Sequence, residues 1–498
     1  MKWSELSPAT FARAKAERKF VVLDGAAEWC HWCHVMDAET YHDAAVVKLL
    51  GERFIAVKVD IDARPDVEER YAAWGWPATV VFSPNGEELG KYRGYLAPDE
   101  MLEILRTVVS GGAKSPGDDE DDVAKDAPAV EPLSKQTLAW IQRWAPLELE
   151  DHWDPKEGGW GIQPKVPLGW DVMWALSRAK AGDATMREHA LFVLDRERRI
   201  VDPVWGGIYQ YSVAPDWDHP HFEKLMIYNA GALASFATGS AVLHDARQLA
   251  TANLIRRWFE SFLLSPDGAF YASQDADLNA HEPGKPFVEG EKYFALDDAH
   301  RRALGIPRVD THEYARENGL AIGAYASYVE VTKDKGAEII AVRAAARILA
   351  THTTKSGGVA HDANPEARLL YLGDNAAFGW GLMELAQATV DTKLMASAKR
   401  IADAMLDELE DKNGGGFFAH TQDDAAVGVF QKRRKPFDDN VLAIRFLARL
   451  AHTLNDNARY TTAIRRALAS IATPERIRAR GKFIGDFLSA LEETKDLW

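Results

Sequence analysis

The sequence predicts two domains of different class: a small α/β domain at the N-terminus, and behind it an all-α domain of helical hairpins that can close as an (α/α)6 barrel. Three observations carry this. Helix and strand signals alternate over the first hundred residues, a Pro- and Gly-rich acidic stretch follows, and nearly everything after it has the 3.6-residue apolar period of amphipathic helices. At 498 residues the chain is also too long for one ordinary core.

The first domain reads in order. SPATFARAKAERK (7–19) opens with Ser-Pro and predicts a helix. FVVLDGA (20–26) is a short apolar run, hence a buried strand, and CHWCHVMDAETYHDAAVVKLLGERF after it is a helical stretch. FIAVKVDI (54–61) is a second strand, PDVEERYAAWG a short helix opened by Pro65, and ATVVFSP (78–84) a third strand ending in the turn SPNG (83–86). GKYRGYL predicts a fourth strand and PDEMLEILRTVVSGG (98–112) a closing amphipathic helix. The domain spans 1–112, in the order α-β-α-β-α-β-β-α.

Residues 113–132 are acidic, lack aromatics and predict a solvated linker. From 133 to 498 the periodicity gives about twelve helices in pairs, the second members starting near 169, 222, 317, 373, 438 and 483. Glycine turns beside aromatic or apolar residues recur between them: GGWG (158–161), GGIY (206–209), DGAFYA (267–272), GGVAH (357–361) and GGFFAH (415–420). Six such hairpins close into a ring or stack as an open solenoid; periodicity fits both. The segment 265–316 interrupts the pattern as an insertion.

Composition narrows the function. A formal charge of −16 argues against nucleic acid and against an anionic membrane surface. The N-terminus MKWSELSPATF has no apolar signal region, and no apolar run is read as a membrane span. Two cysteines cannot form a disulfide framework, so a reducing cytoplasm is the expected compartment.

Those two are Cys30 and Cys33, in AEWCHWCHVM (27–36). Cys30 follows a strand and opens a helix, where the helix dipole and unpaired N–H groups favour thiolate. Cys33 lies one turn on, in reach of a mixed disulfide. His31 and His34 add positive character. C-x-x-C-H also marks haem attachment, but that chemistry needs export. A second C-x-x-C is missing, so no metal is expected on this ligand count.

These residues resemble a thioredoxin-fold domain over 1–112. VVLDGAAEWCHWC resembles the active-site strand, with Asp24 at the family's buried aspartate, the proton acceptor for the second cysteine. Lys58, in VKVDID, stands where a lysine faces that aspartate. WGWPATVVF resembles the cis-proline loop, which implies a cis Pro77 shaping the partner surface and Trp76 over the sulfurs. His31-Trp32 replaces the usual Gly-Pro between the cysteines. The resemblance implies thiol–disulfide exchange with protein disulfides or thiols as partners and no cofactor.

Nearly the whole chain resembles a narrower family, the spermatogenesis-associated thioredoxin-like proteins, which join such a domain to a six-hairpin barrel related to N-acylglucosamine 2-epimerases and glycosidases. GGIYQYSVAPDWDHPHFEKLMIYNAGALA (206–234), FYASQDAD (270–277), EGEKYFAL (289–296), LGDNAAF (372–378) and PFDDN (436–440) carry it. ARENGLAIGAY (315–325) stands where that family often has Trp-Asn-Gly, and holds only Asn318-Gly319. The barrel candidates are His221 and Glu223 in P-H-F-E-K, Asp275 and Asp277 after the FYAS turn, Glu291 in the insertion, and Asp374 and Asp439, each before an asparagine. If these ends converge on one mouth, they suit carbohydrate chemistry: paired carboxylates for glycoside hydrolysis, or histidine with carboxylate for epimerisation. Asp374 and Asp439 alone read as helix N-caps. Trp153, Trp160, Trp170, Trp205, Trp217 and Trp380 are candidate sugar platforms or core.

Overall fold

The computed structural model describes residues 1–113, 121–123, 129–282, 284–364, 366–454 and 457–497. It forms two compact units. The first is Met1–Lys125 with Ala280–Gly284 and Gln422–Arg434; the second holds the rest.

In the first unit the elements are α1 (Pro8–Glu17), β1 (Phe20–Ala26), α2 (His31–Ala38), α3 (Ala44–Arg53), β2 (Phe54–Asp60), α4 (Pro65–Tyr71), β3 (Ala78–Phe82), β4 (Glu88–Arg93) and α5 (Pro98–Val109). The sheet order is β2-β1-β3-β4, with β1 parallel to β2 and antiparallel to β3. β1 is buried at all but its first residue, as a central strand must be. The predicted helix after β1 is two helices. The chain breaks at Thr40–His42, and Asp43 caps α3 by accepting from the Ala45 and Val46 N–H groups. Val22, Met36, Leu50, Phe54, Val81 and Leu105 form the core between sheet and helices.

The later segments complete this unit. Phe430 packs on Phe82 at 5.9 Å, and the Val429 N–H donates to the Gly86 carbonyl. Arg434 reaches Glu69 at 2.7 Å and Asp122 at 2.9 Å, and Arg70 also reaches Asp122. So the acidic stretch is not solvated throughout: its described residues Asp121 and Asp122 neutralise a largely buried guanidinium. Residues 114–120 and 124–128 of that stretch lie outside the described residues.

The second unit runs α6 (Lys135–Glu150), α7 (Gly169–Lys180), α8 (Ala184–Glu197), β5 (Tyr211–Ser212), β6 (Pro220–His221), β7 (Lys224–Leu225), α9 (Met226–Leu243), α10 (Ala246–Trp258), β8 (Ser273–Gln274), α11 (Gly290–Phe294), α12 (Asp298–Leu304), β9 (Val309–Asp310), α13 (Ala315–Thr332), α14 (Lys335–His352), α15 (Leu372–Thr389), α16 (Thr392–Glu408), α17 (Phe437–Thr453), α18 (Ala458–Ile471), α19 (Pro474–Arg480) and α20 (Gly485–Thr494). Helices α7, α9, α13, α15, α17 and α20 pack each on the next, and α20 packs on α7. The ring is closed, which decides against an open solenoid. The other member of each hairpin lies outside, against this inner layer. The inner helices come close through small residues: a Cβ at Gly319 would stand 2.4 Å from the Ala377 carbonyl carbon.

Two devices repeat around the ring. The first is an asparagine one turn into an inner helix. Asn229, Asn318, Asn375 and Asn440, all fully buried, each accept from the N–H and donate to the C=O of one turn residue: Ile208, Phe270, Val359 and Phe417 respectively. Those are the residues that follow the recurring glycine turns. The side-chain amide gives a buried peptide the partners a strand would have given it. The second device is a carboxylate–lysine pair beside glycine turns, at Asp154–Lys165, Asp202–Lys224 and Asp411–Lys435, with N–O distances of 2.6, 2.8 and 2.7 Å.

Helix α9 corrects one expectation: by length and composition it is apolar enough to cross a membrane. It is an inner helix of the ring, and most of it is buried there.

Candidate functional site

Cys30 is the N-cap of α2, and its Sγ accepts the Cys33 main-chain N–H at 3.2 Å. β1 ends four residues earlier, so the strand fixes where the helix starts and where the sulfur meets its free N–H groups. Cys30 and Cys33 are joined as a disulfide, with Cα atoms 5.2 Å apart. Both are nearly buried, whereas Trp32 between them is 42% exposed and sits 5.8 Å from Tyr95. His31 is half-buried against Trp32. The Trp76–Pro77 peptide is cis. The half-buried Trp76 ring lies on Gly25 of β1, where a Cβ would come within 2.9 Å of it.

On β1, Asp24 is 2% exposed and pairs in register with Lys58 on β2, Nζ to Oδ2 3.7 Å. Lys58 also holds Asp37 of α2, more closely. Burial pushes the Asp24 carboxyl up to about 7; Lys58 opposes this and Asp37 adds to it. Asp24 is therefore poised to exchange a proton near neutrality. Asp37 escaped the sequence reading, although it lies four residues after Cys33 on one face of a helix, a legible spacing.

In the second unit the candidates fall into two groups. His221 stands on β6, its ring stacked on Tyr211 at 4.5 Å and its Nδ1 3.5 Å from Glu223. The register of β7 with β8 pairs Lys224 with Gln274, and the residues flanking that pair, just outside the two strands, are Glu223 and Asp275. Asp275 and Asp277 are buried, and both hold loop backbone: Asp275 accepts from the Asp277 N–H and Asp277 from the Gly290 N–H that opens α11. Glu291 is exposed on α11.

The second group surrounds Asp374. It is not a cap of its own helix; it accepts from the Arg316 N–H of the neighbouring inner helix at 3.0 Å. Its two oxygens also stand 3.0 and 3.1 Å from Nδ1 of His361, which stacks on Tyr314 at 4.2 Å. The Arg316 guanidinium reaches Asp439 at 3.8 Å. Glu317 completes the set. Burial raises its carboxyl, against the pull of His361 and Arg316. Glu317, Asp374 and Asp439 occupy the same place on successive inner helices, the residue before the clamping asparagine. His361, Glu317 and Arg316 were missed in the sequence; His361 ends the GGVAH turn, and Glu317 precedes Asn318 as Asp374 precedes Asn375.

The tryptophan platforms divide. Trp160, Trp205 and Trp217 are core, their indole N–H groups bound to Glu150, Asp298 and the Glu157 carbonyl. Trp380 is buried too, edge-to-face with the half-buried Trp170 at 5.4 Å.

Residues 1–126 match the family model Thioredox_DsbH, described as a protein of unknown function, DUF255. A thioredoxin of Buchnera aphidicola is 31% identical over 102 residues, 20% of this chain and 90% of that protein. Spermatogenesis-associated protein 20 of Homo sapiens is 26% identical over 323 residues, 58% of this chain and 41% of that protein. This chain thus spans less than half the length of that relative. Among solved structures, cellobiose 2-epimerase of Spirochaeta thermophila aligns with a TM-score of 0.53 at 16% identity, over 73% of this chain and 97% of that one. At that identity the likeness is one of fold.

Proposed function

From the premise that this chain belongs to the spermatogenesis-associated thioredoxin-like family, we propose that its first unit is a thiol–disulfide oxidoreductase acting on protein disulfides or thiols in a reducing cytoplasm. The supporting observation is the Cys33 N–H aimed at Cys30 Sγ at the start of α2. In the reduced protein the same N–H and helix dipole stabilise a thiolate. The Cys30 thiolate attacks a substrate disulfide and expels one substrate thiolate. Cys33 then gives up its proton towards Asp24 and attacks the Cys30 sulfur, releasing the second. The substrate disulfide gains two electrons and the dithiol loses them. The test is turnover of a protein disulfide by the full chain with dithiothreitol as reductant. Catalysis above the free-dithiothreitol rate, abolished by Cys30→Ser, supports the reading; a rate equal to dithiothreitol alone contradicts it.

A second reading concerns the ring, and the His361–Asp374 pair beside Glu317 favours it. A histidine whose Nδ1 is held by a carboxylate has its ring orientation fixed, and beside it burial raises the proton affinity of the Glu317 carboxyl. With the fold of a sugar 2-epimerase, this set suits proton transfer beside a carbonyl of a reducing sugar. Turnover screening of aldoses and reducing disaccharides tests it, with His221→Ala, Glu223→Ala and His361→Ala as controls. Turnover that no variant changes would place the chemistry elsewhere.

A further inference from the structure

One ammonium serves two carboxylates in the first unit. The Lys58 Nζ donates to Asp37 Oδ2 on α2, while Asp24 Oδ2 on β1 is 3.7 Å from the same nitrogen, beyond a hydrogen bond. The backbone fixes this arrangement. Asp24 and Lys58 are register partners on neighbouring strands, and α2, which starts at the redox pair, carries Asp37 about one turn past Cys33. The Trp3 ring also lies 5.6 Å from the ammonium and edge-to-face with Tyr41 at 4.8 Å. Ser4 keeps it there by pairing with β2, its N–H donating to the Ala56 carbonyl and its C=O accepting from the Lys58 N–H. Tyr41, from the turn Thr40–His42, faces the Asp24 carboxyl, and its own burial keeps the phenol protonated. Thr79 stands opposite Asp24 on β3 as a buried hydroxyl.

Two negative groups and one positive group cannot all be paired. Asp37 is half-buried and Asp24 almost wholly buried, so charge is better solvated on Asp37. Asp37 therefore holds the ammonium, and Asp24 keeps its proton until the pH nears neutrality. Without the Asp37 charge the ammonium pairs with Asp24 alone, and Asp24 ionises at lower pH.

We propose that Asp37 is a positioning residue of the dithiol site: by holding Lys58 away from Asp24, it sets the pH at which the Asp24 carboxylate becomes available to Cys33. That consequence rests on the exchange reading above. There the Cys33 S–H bond breaks, its proton passes to the Asp24 carboxylate and the electron pair stays on the sulfur. That sulfur bonds to Cys30 Sγ as the bond from Cys30 to the substrate sulfur breaks, and the substrate leaves as thiolate. Ionised Asp24 is the base, so its titration sets the acid limb of this step.

Carbon-13 NMR of the full oxidised chain, labelled at the aspartate carboxyl carbons, tests the proposal. Asp24 is the resonance that Asp24→Asn removes, and its midpoint in the unmodified chain should lie at about 7. Asp37→Asn should lower that midpoint by about one pH unit, the lower end of what one nearby charge does. Asp37→Glu, which keeps the charge, should leave it in place. Lys58→Met should raise the midpoint, and adding Asp37→Asn to Lys58→Met should then lower it by much less than in the unmodified chain. An unchanged midpoint in Asp37→Asn, or an equal fall with and without Lys58, overturns the proposal. The oxidised chain needs no substrate, so this titration stands or falls apart from the exchange activity.

Discussion

Asn375 holds the Val359 peptide at both ends, its Oδ1 accepting from the N–H at 2.9 Å and its Nδ2 donating to the C=O at 3.1 Å. Alanine at 375 strands two buried backbone groups, each worth about 1–3 kcal/mol when left without a partner. Asn375→Ala should therefore lower unfolding free energy by at least about 2 kcal/mol in urea titration, and Asn440→Ala likewise. A loss under about 0.5 kcal/mol, the range of ordinary surface changes, would mean that water replaces the amide and that the clamp does not shape the turn.

Lys224 lies between Asp202, at 2.8 Å, and the Gly206 carbonyl, at 2.7 Å, and Arg301 meets the same carboxylate; all three side chains are fully buried. Burial draws Lys224 down to about 8 although Asp202 holds its proton. Lys224→Met leaves Asp202 with Arg301 alone. The expected cost, read from chemical denaturation, is about 3–5 kcal/mol, the range for breaking one member of a buried ionic set. A neutral result would show that methionine packing compensates fully.

Asp24 has a folded pKa of about 7 against an ordinary value of 3.8. A raised acid favours the fold fully below its unfolded pKa, and that contribution is lost as pH rises through the folded value. The window is thus pH 4 to 7. Over it the unmodified chain should lose up to about 4 kcal/mol relative to Asp24→Asn. Denaturation of both proteins at intervals from pH 4 to 8 checks this, and parallel pH profiles would remove Asp24 as the titrating group.

Much of this architecture was legible in the sequence, for physical reasons. β1 and β3 announced themselves as apolar runs bounded by turns, and the inner helices begin within a few residues of the expected starts because Gly-Gly turns and the 3.6 period both mark them. The break between α2 and α3 was not legible, since the capping role of Asp43 depends on where the chain turns. The asparagines were read only as neighbours of Asp374 and Asp439, because a clamp on a turn 16 or 23 residues back leaves no local pattern. The same distance hid His361, whose partner Asp374 lies 13 residues on. Asn318-Gly319, first read as the remnant of a longer motif, is a clamp beside a helix contact.

If the ring moves a proton beside a sugar carbonyl, the His361–Asp374 pair sets the rate. His361→Asn should then cut exchange of the sugar C2 hydrogen with D₂O by about 10²–10⁴-fold, the usual worth of a general base, while sugar binding measured by tryptophan fluorescence persists. Unchanged exchange would move the proton transfer away from this pair, towards His221 and Glu223.

Thiol–disulfide exchange by this chain depends most directly on the acidity of Cys30. The reduced full chain should be labelled with iodoacetamide across pH 5 to 10 and each cysteine followed by mass spectrometry. Cys30 should react far faster than Cys33 near neutral pH, with a midpoint well below the ordinary thiol value of about 8.5. Slow and equal labelling of both, with midpoints at that ordinary value, would contradict it.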